Sequence, residues 1–459
     1  MGMNRFFFAA LLIFTVSFTV QLYADLPSAK IEDDSSLRAV LRDSWFNETP
    51  ARVQNKRAEF HTLKGGTRVQ VRTESNADEF AIVLARELPG ITGGSSEDSS
   101  FPGWAQGSWI LTRRKSDGNP VRIRVFPRSD PYTYIQFRPF IDDKCQMDVV
   151  LYDAYLIRSM PLPVSFERAM ILPVEEILAM AGARFPRKYF DPVPGMYRDT
   201  REFVSAVRAK LPELQFVDDG AIDENGNYVF INTLGYQNPA FPAQAGGLNC
   251  SGFAKWIVDG ILKPHTGKLL PVAPLKEGFF SRGSSYTEPW EPIRDPFFGL
   301  DWIRNLASAA GTILRSSSWA SLAEFEVRAQ PFSQVIQRQN GGSAIRPYPG
   351  FLPDGGYGFE GLHALLYTLA IDEPGRIYLA AVNNELRAPI TASNPRGLPR
   401  IRQYFHIAVL VPYFDENGYF RIVVFESAAE TSFNFFRNRY HGNYVNLVRI
   451  PVDGSFNPD

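Results

Sequence analysis

The stretch from Gly246 to Leu262 constrains this chain more than any other. Small residues and a glycine pair precede Cys250, and apolar residues then recur at the spacing of one helix face. This repeat predicts an amphipathic helix from about Cys250 to Leu262, which Pro264 is expected to end. A cysteine at a helix start lies beside unpaired N–H groups and the positive end of the helix dipole, and both favour a thiolate. We therefore expect Cys250 to be a nucleophile, with the glycines before it letting a substrate carbonyl approach the backbone.

Length and charge limit the class of protein. The chain has 459 residues, with 48 Lys and Arg residues against 49 Asp and Glu residues. This length predicts two or three domains, and the balanced charge gives no indication of a nucleic-acid partner. Two cysteines cannot form a disulfide framework, so the fold depends on its apolar core.

The first residues have the pattern of a secretory signal peptide. Arg5 precedes an apolar run from Phe6 to Val20, and Ala24 provides a small residue at a cleavage point. The run is shorter than the roughly 20 residues of a membrane-spanning helix, although an uncleaved anchor is the alternative. We predict a signal peptide over residues 1–24 and export to the periplasm, the cell envelope or the exterior. No later segment is long and apolar enough to predict an integral membrane span after cleavage.

Residue patterns divide the rest of the chain into three regions. Residues 25–55 are polar and are expected to be a lead-in segment. Period-two alternation, with a denser apolar run at residues 80–84, then predicts a β-rich N-terminal domain over residues 56–160, built as an antiparallel meander. Its expected strands are 66–72, 80–84, 108–113, 121–126, 132–137 and 147–156.

A helical joint is predicted over residues 161–215. One helix is expected from Val174 until Gly182 ends it. A second is expected to open at a capping box over residues 199–202, with Phe203, Val204, Val207 and Leu211 on its apolar face.

Residues 216–459 are predicted to form a C-terminal α+β domain. Residues 264–353, rich in Pro, Gly and Ser, interrupt it as a long insertion with helical pieces at 300–314 and 321–328. A helix at 361–370 and strands at 376–382, 405–411 and 419–425 are expected after the insertion.

One histidine has a predicted orienting partner. His406 opens a strand that should form a hairpin with residues 420–425 through the turn Asp415-Glu416-Asn417-Gly418. A turn centred on residue 416 places His406 opposite Glu426, and a turn centred one residue later places the two diagonally on the same face. A carboxylate there would accept a hydrogen bond from one imidazole nitrogen and leave the other to act as a base.

These residues resemble the NlpC/P60 superfamily of papain-like cysteine hydrolases. Cys250-Ser251-Gly252-Phe253 opens a helix and His406 begins a later hairpin, in the family's order of nucleophile, base and polar orienter. The resemblance covers roughly residues 230–262 and 374–428. It implies a papain-like fold and catalytic roles for Cys250, His406 and Glu426. It also implies that Tyr236 lies near the thiol, so Tyr236 and Ser251 are the predicted substrate-binding residues.

The chain departs from the family in three respects. Asn249 stands where the family usually has Asp, and Glu426 is an uncommon third member. The insertion also separates Cys250 from His406 by far more than is usual. The family's members mostly cleave peptide stems of bacterial cell walls, so the resemblance implies an exported peptidase or amidase acting on peptidoglycan or another peptide. It implies no metal and no organic cofactor.

Several alternatives remain open from the residues alone. Cys250 could be a buried apolar side chain, or could form a disulfide with Cys145 in an oxidising compartment. His406 could be a hydrogen-bonded strand residue, and His363, inside an apolar helix, is expected to pack. A non-catalytic envelope-binding protein that keeps the fold, or an acyltransferase using the same thiol, are the alternative functions.

Overall fold

The computed structural model describes residues 31–88, 100–237, 246–279, 295–315, 321–332, 350–386 and 400–459. The predicted signal peptide, residues 1–24, lies outside them. The helices in these ranges are α1 (Ser35–Leu41), α2 (Pro50–Gln54), α3 (Phe166–Ile171), α4 (Val174–Ala181), α5 (Arg198–Lys210), α6 (Cys250–Thr266), α7 (Phe298–Arg315), α8 (Leu322–Phe325), α9 (Leu362–Asp372) and α10 (Phe433–Arg439).

Two antiparallel sheets and a two-stranded ribbon contain the strands of these ranges. The first sheet holds β1 (Glu59–Thr62), β2 (Arg68–Ser75), β3 (Glu79–Arg86), β4 (Trp109–Arg114), β5 (Pro120–Val125), β6 (Thr133–Pro139), β7 (Lys144–Leu151) and β8 (Ala154–Ser165). The ribbon holds β9 (Ala221–Ile222) and β10 (Tyr228–Val229). The second sheet holds β11 (Tyr357–Gly358), β12 (Arg376–Leu386), β13 (Arg400–Phe414), β14 (Phe420–Glu426), β15 (Ala429–Ser432) and β16 (Tyr444–Pro451).

The first sheet is an eight-stranded meander in which each strand pairs with the next along the chain. The strands expected between residues 66 and 137 correspond to β2 to β6. The single strand expected over residues 147–156 is wrong, because β7 ends at Leu151 and β8 starts at Ala154. Tyr152 and Asp153 both have positive φ and form the tight turn between them. The pair lacks the Asn-Gly or Asp-Gly signal of such a turn, so the sequence pattern concealed it.

Residues before the sheet contribute to its core and are not a simple lead-in segment. A π-helical turn over Arg42–Phe46 follows α1, and the side chains of Trp45 and Phe46 are buried. Arg38 is also buried, where its guanidinium meets Asp34 at 2.7 Å and donates to the carbonyl of Met170 at 2.6 Å. Helices of five to seven residues are too short to give a clear helical repeat, which is why composition alone indicated a polar segment.

The helical joint agrees with prediction at α4 and differs at α5. Gly182, with φ of 58°, follows the last residue of α4 as expected. The predicted capping box is wrong, since α5 begins at Arg198 directly after a 3-10 turn (Pro194–Tyr197) and has no side-chain cap. Its inward face is as predicted at Phe203, Val204 and Val207, which are buried.

The second sheet has the strand order β11-β16-β12-β13-β14-β15. Strand β16 was not predicted, although it lies inside the sheet between β11 and β12. Strands β13 and β14 form the predicted hairpin, in which Val409 pairs with Phe425 and Phe414 pairs with Phe420. This register corresponds to a turn centred on residue 417.

The predicted insertion contributes to the core of the C-terminal domain. Helix α7, which lies within it, buries Leu300, Trp302 and Leu306 against α6 and the second sheet. Helical structure over the expected range 321–328 is limited to the four residues of α8, because Glu326 bridges to Val448 in β16. Residues 280–294, 316–320 and 333–349 of the insertion lie outside the described residues.

An aromatic contact joins the first sheet to helix α9. Tyr152, at the β7–β8 turn, stacks on His363 of α9 with ring centroids 3.7 Å apart. Burial lowers the pKa of His363 to about 3, so its imidazole is neutral and packs as an aromatic ring, as expected. None of the helices in the described ranges has both the length and the apolarity to cross a lipid bilayer.

Candidate active site

Asn249 defines the start of α6. Its side-chain oxygen accepts a hydrogen bond from the Gly252 N–H at 2.8 Å, and its carbonyl accepts from the Phe253 N–H at 2.8 Å. Asn therefore performs the capping that Asp would perform, without placing a negative charge beside the thiol. Within the described residues the N–H of Cys250 has no hydrogen-bond acceptor, so it remains available to an anionic oxygen.

Pro264 does not end α6, contrary to prediction. The helix continues to Thr266, and Gly267 with φ of 68° follows it. A proline inside a helix removes the hydrogen bond to the carbonyl four residues earlier, here that of Gly260. The Asn457 N–H donates to this carbonyl at 2.8 Å instead. A donor from a distant segment thus replaces the missing one.

Helix α6 packs closely at its first turn because Gly252 has no side chain. A Cβ there would lie 1.9 Å from the carbonyl oxygen of Gly220, in the segment before β9. Trp302 of α7 also donates from its indole to the carbonyl of Ser251 at 2.9 Å. Two independent elements therefore fix the backbone of the two residues that follow Cys250.

His406 and Glu426 meet on the diagonal of the β13–β14 hairpin. The Nε2 atom of His406 lies 2.7 Å from Oε2 of Glu426. Both side chains are largely buried, and only 5% of the surface of Glu426 is exposed. An ionised carboxylate only accepts hydrogen bonds, so Nε2 carries the proton and Nδ1 is left for the thiol.

Cys250 lies within hydrogen-bonding reach of His406. Burial alone would raise the pKa of the Cys250 thiol, but the hydrogen bond and charge of His406 outweigh it and the pKa lies below its ordinary value. The Ile407 N–H and the Ser251 hydroxyl add hydrogen bonds to the sulfur. Burial alone would lower the pKa of His406, but its hydrogen bonds and charge interactions with Cys250 and Glu426 raise that pKa to about 9. A lowered thiol pKa beside a raised imidazole pKa is the pattern of a thiolate–imidazolium pair.

Two residues beside Glu426 were not predicted. Arg439, the last residue of α10, donates from Nη2 to Oε1 of Glu426 at 2.8 Å. The ring of Tyr440 stacks on the imidazole of His406, with centroids 5.5 Å apart. Neither has a recognisable sequence signal, because β15 and a seven-residue helix return the chain to the site only in three dimensions.

The predicted substrate-binding residues differ in their surroundings. Tyr236 follows β10 with 68% of its surface exposed, and its backbone forms a bridge with Val229. Ser251 is 4% exposed and its hydroxyl contacts the thiol. A substrate-binding role for either residue stays a prediction.

The glycines before the nucleophile pack against the protein itself. The N–H and carbonyl of Gly247 are hydrogen-bonded to the side-chain amide of Gln237, at 3.0 and 3.2 Å. A Cβ at Gly247 would lie 2.5 Å from Val217. The expectation that this glycine admits a substrate carbonyl is therefore wrong, since its backbone is occupied by the neighbouring loop.

The second cysteine lies outside the site. Cys145 is a buried free thiol in β7, Cys250 is also free, and burial raises the pKa of Cys145 to about 12. The alternative of a disulfide between the two is not realised. Among the described residues, no group of three or more His, Cys, Asp and Glu side chains is arranged to hold a metal ion.

A family model described as "Domain of unknown function (DUF8515)" matches residues 27–189. The match covers the first sheet with its leading helices and the start of the joint, and ends before every candidate site residue. No curated protein and no solved structure matches the chain.

Proposed function

We propose that the chain is an exported cysteine hydrolase that cleaves an amide bond by attack of the Cys250 thiolate, with His406 as general acid and base. The observation that carries the proposal is the linked arrangement of Cys250, His406 and Glu426 at the start of α6, where the thiol pKa is lowered and the imidazole pKa is raised. A purely structural buried cysteine would have a raised pKa, as Cys145 has.

The geometry supports the following steps. The thiolate attacks the substrate carbonyl carbon, and the N–H of Cys250 donates a hydrogen bond to the oxyanion that forms. His406, protonated in the resting pair, gives its proton to the leaving amine as the C–N bond breaks. Neutral His406 then takes a proton from water, which attacks the thioester and releases the acid. Glu426 holds the Nε2 proton throughout, so that Nδ1 exchanges protons with sulfur, amine and water.

The proposed substrate is a peptide of the cell wall. Support comes from the predicted export signal and from the resemblance of the Cys250 and His406 segments to NlpC/P60 hydrolases. The insertion, which supplies α7 to the first turn of α6 through Trp302, would distinguish this site from shorter members of that family.

The test is digestion of purified peptidoglycan by the full-length exported protein, with products identified by mass spectrometry. Wild type and Cys145→Ala are expected to release the same peptide fragments, whereas Cys250→Ala should lose at least about 10³-fold in rate. Binding of peptidoglycan without release of fragments would favour the envelope-binding alternative. A product carrying a newly joined acceptor would instead show acyl transfer.

A further inference from the structure

We propose that Arg439 is a positioning residue of this site, holding the Glu426 carboxylate ionised and in one orientation so that His406 keeps the proton on Nε2. The inference rests on the proposed function, since it gives Arg439 a role in the same thiol chemistry. Arg439 would act only through Glu426.

The carboxylate of Glu426 divides its two oxygens between two partners. Oε2 lies 2.7 Å from Nε2 of His406, and Oε1 accepts from Nη2 of Arg439 at 2.8 Å. A carboxylate bound at both oxygens cannot rotate without losing one of these hydrogen bonds. The plane of Glu426, and with it the direction of the imidazole, is therefore fixed from both sides.

Charge compensation matters here because the third residue is an acid. Burial favours the neutral form of Glu426, while His406 and Arg439 hold its pKa below the ordinary value. A protonated Glu426 could donate its own hydrogen to Nε2 and thereby select the tautomer with the proton on Nδ1. That tautomer cannot accept the thiol proton. A neutral Asn or Gln at this position would not carry this risk, so the need for a cation follows from the choice of Glu.

The guanidinium is itself held in place. Its central carbon lies 4.7 Å from the ring centroid of Phe435 and 5.3 Å from that of Tyr440. Tyr440 also stacks on His406, so one residue contacts both the cation and the base. Phe435 and Arg439 lie one turn apart on α10, whose first turn is capped by the Ser432 hydroxyl.

In the part of the chain that the structure describes, few charged and titratable groups surround the carboxylate. Those facing Glu426 are His406 from β13, Arg439 from α10 and Tyr440 just beyond α10. Those facing His406 are Cys250 from α6, Glu426 from β14 and the stacked ring of Tyr440. Among the described residues, Arg439 is thus the cation that can offset Glu426 independently of the state of His406.

The experiment measures the rate of Cys250 alkylation by iodoacetamide against pH in the full-length protein. Removing the cation in Arg439→Met should raise the pKa of Glu426 and move the acidic limb of the alkylation profile upward by about one pH unit. At a pH on that limb, the rate falls about tenfold. Arg437→Met is the matched control, because it removes the same charge from the same helix at a residue that does not contact Glu426, and its profile should match wild type.

Two further variants separate positioning from general support of the fold. Arg439→Lys retains a positive charge and should restore at least half of the pH shift. In a Glu426→Gln background, Arg439→Met should change the alkylation rate less than about twofold, since the group through which Arg439 acts is gone.

The outcomes distinguish this inference from the proposed function. A wild-type thiol that titrates near 8.5 removes the proposed function and this inference together. A lowered wild-type titration that Arg439→Met leaves unchanged, or shifts no more than Arg437→Met does, overturns the role of Arg439 alone. If Arg439→Met unfolds, the Arg439→Lys profile and the Glu426→Gln pair decide the question by the same criteria.

Discussion

The two cysteines of the chain have opposite surroundings. Cys145 lies in β7, the second strand from the edge of the first sheet, where burial outweighs the nearby Arg138 and raises the thiol pKa to about 12. Cys250 lies at the start of α6, half-buried, and its pKa is lowered by His406. Burial therefore dominates the pKa of the first thiol, whereas a neighbouring imidazole dominates that of the second. Reactivity requires a partner that is itself stabilised as a cation, and here the second sheet supplies it.

The largest expected effect is a difference in labelling between the two thiols. In the folded protein at pH 7, iodoacetamide should modify Cys250 at least about 10³-fold faster than Cys145, because the thiolate fraction and the access of reagent both favour Cys250. Digestion and mass spectrometry of timed samples give both rates. Unfolding the protein in urea should abolish the difference. Comparable rates in the folded state would break the comparison.

Removing the imidazole should make Cys250 resemble Cys145. In His406→Gln, nothing outweighs the effect of burial, so the pKa of Cys250 should rise. Alkylation of Cys250 at pH 6.5 should then fall about 100-fold. His265→Gln is the matched control, because His265 lies at the far end of the same helix and pairs with Asp453 at 3.2 Å. A loss of similar size in both variants would mean that the helix, and not the imidazole, controls the thiol.

The pH dependence of hydrolysis should separate the thiolate from its partner. The imidazolium of His406, with its pKa raised to about 9, is present below that pH and is lost as the pH rises through it. Hydrolysis needs this proton for the leaving amine and should decline above about pH 9. Alkylation needs only the thiolate and should not decline there. Parallel declines would indicate loss of structure at high pH.

The smallest effect concerns stability. Cys145→Ser places a hydroxyl in an apolar sheet interior and should lower the free energy of unfolding by about 1–3 kcal/mol. Cys250→Ser should change it by less than about 1 kcal/mol, because a hydroxyl at that position can still hydrogen-bond to His406. Urea unfolding followed by fluorescence measures both. A larger loss of unfolding free energy in Cys250→Ser than in Cys145→Ser would show that the sulfur of Cys250 contributes more to stability than that of Cys145.

Local patterns predicted the first sheet better than the second. Strands β2 to β6 show either alternation or a short apolar run, and each pairs with its neighbours in sequence, so hydrophobic pattern and turn residues were sufficient. The Tyr152–Asp153 turn was missed because positive φ at these residues is supported by tertiary packing on His363. Strand β16 was missed because its place inside the sheet depends on pairing with β11 and β12, both distant in sequence.

In the candidate site as well, features set by local geometry were predicted and features set by distant contacts were missed. Cys250 at a helix start and the diagonal of His406 and Glu426 follow from helical and hairpin geometry, which involve few residues. Arg439 could not be predicted, since its contact with Glu426 depends on the tight turn at Ser427 and Ala428 and on the length of α10. The continuation of α6 through Pro264 depends on Asn457, whose N–H no local pattern connects with Gly260.

The position of β16 has a consequence for the order of assembly during synthesis. A nascent chain extended as far as Arg439 already contains the sulfur, the imidazole, the acid and the guanidinium, yet it lacks the strand that separates β11 from β12. Until residues 444–451 emerge, the edge of β12 that β16 covers stays open to pairing with other polypeptides. The second sheet, and with it the strand that carries His406, is therefore expected to be complete only after residues 444–451 have joined it.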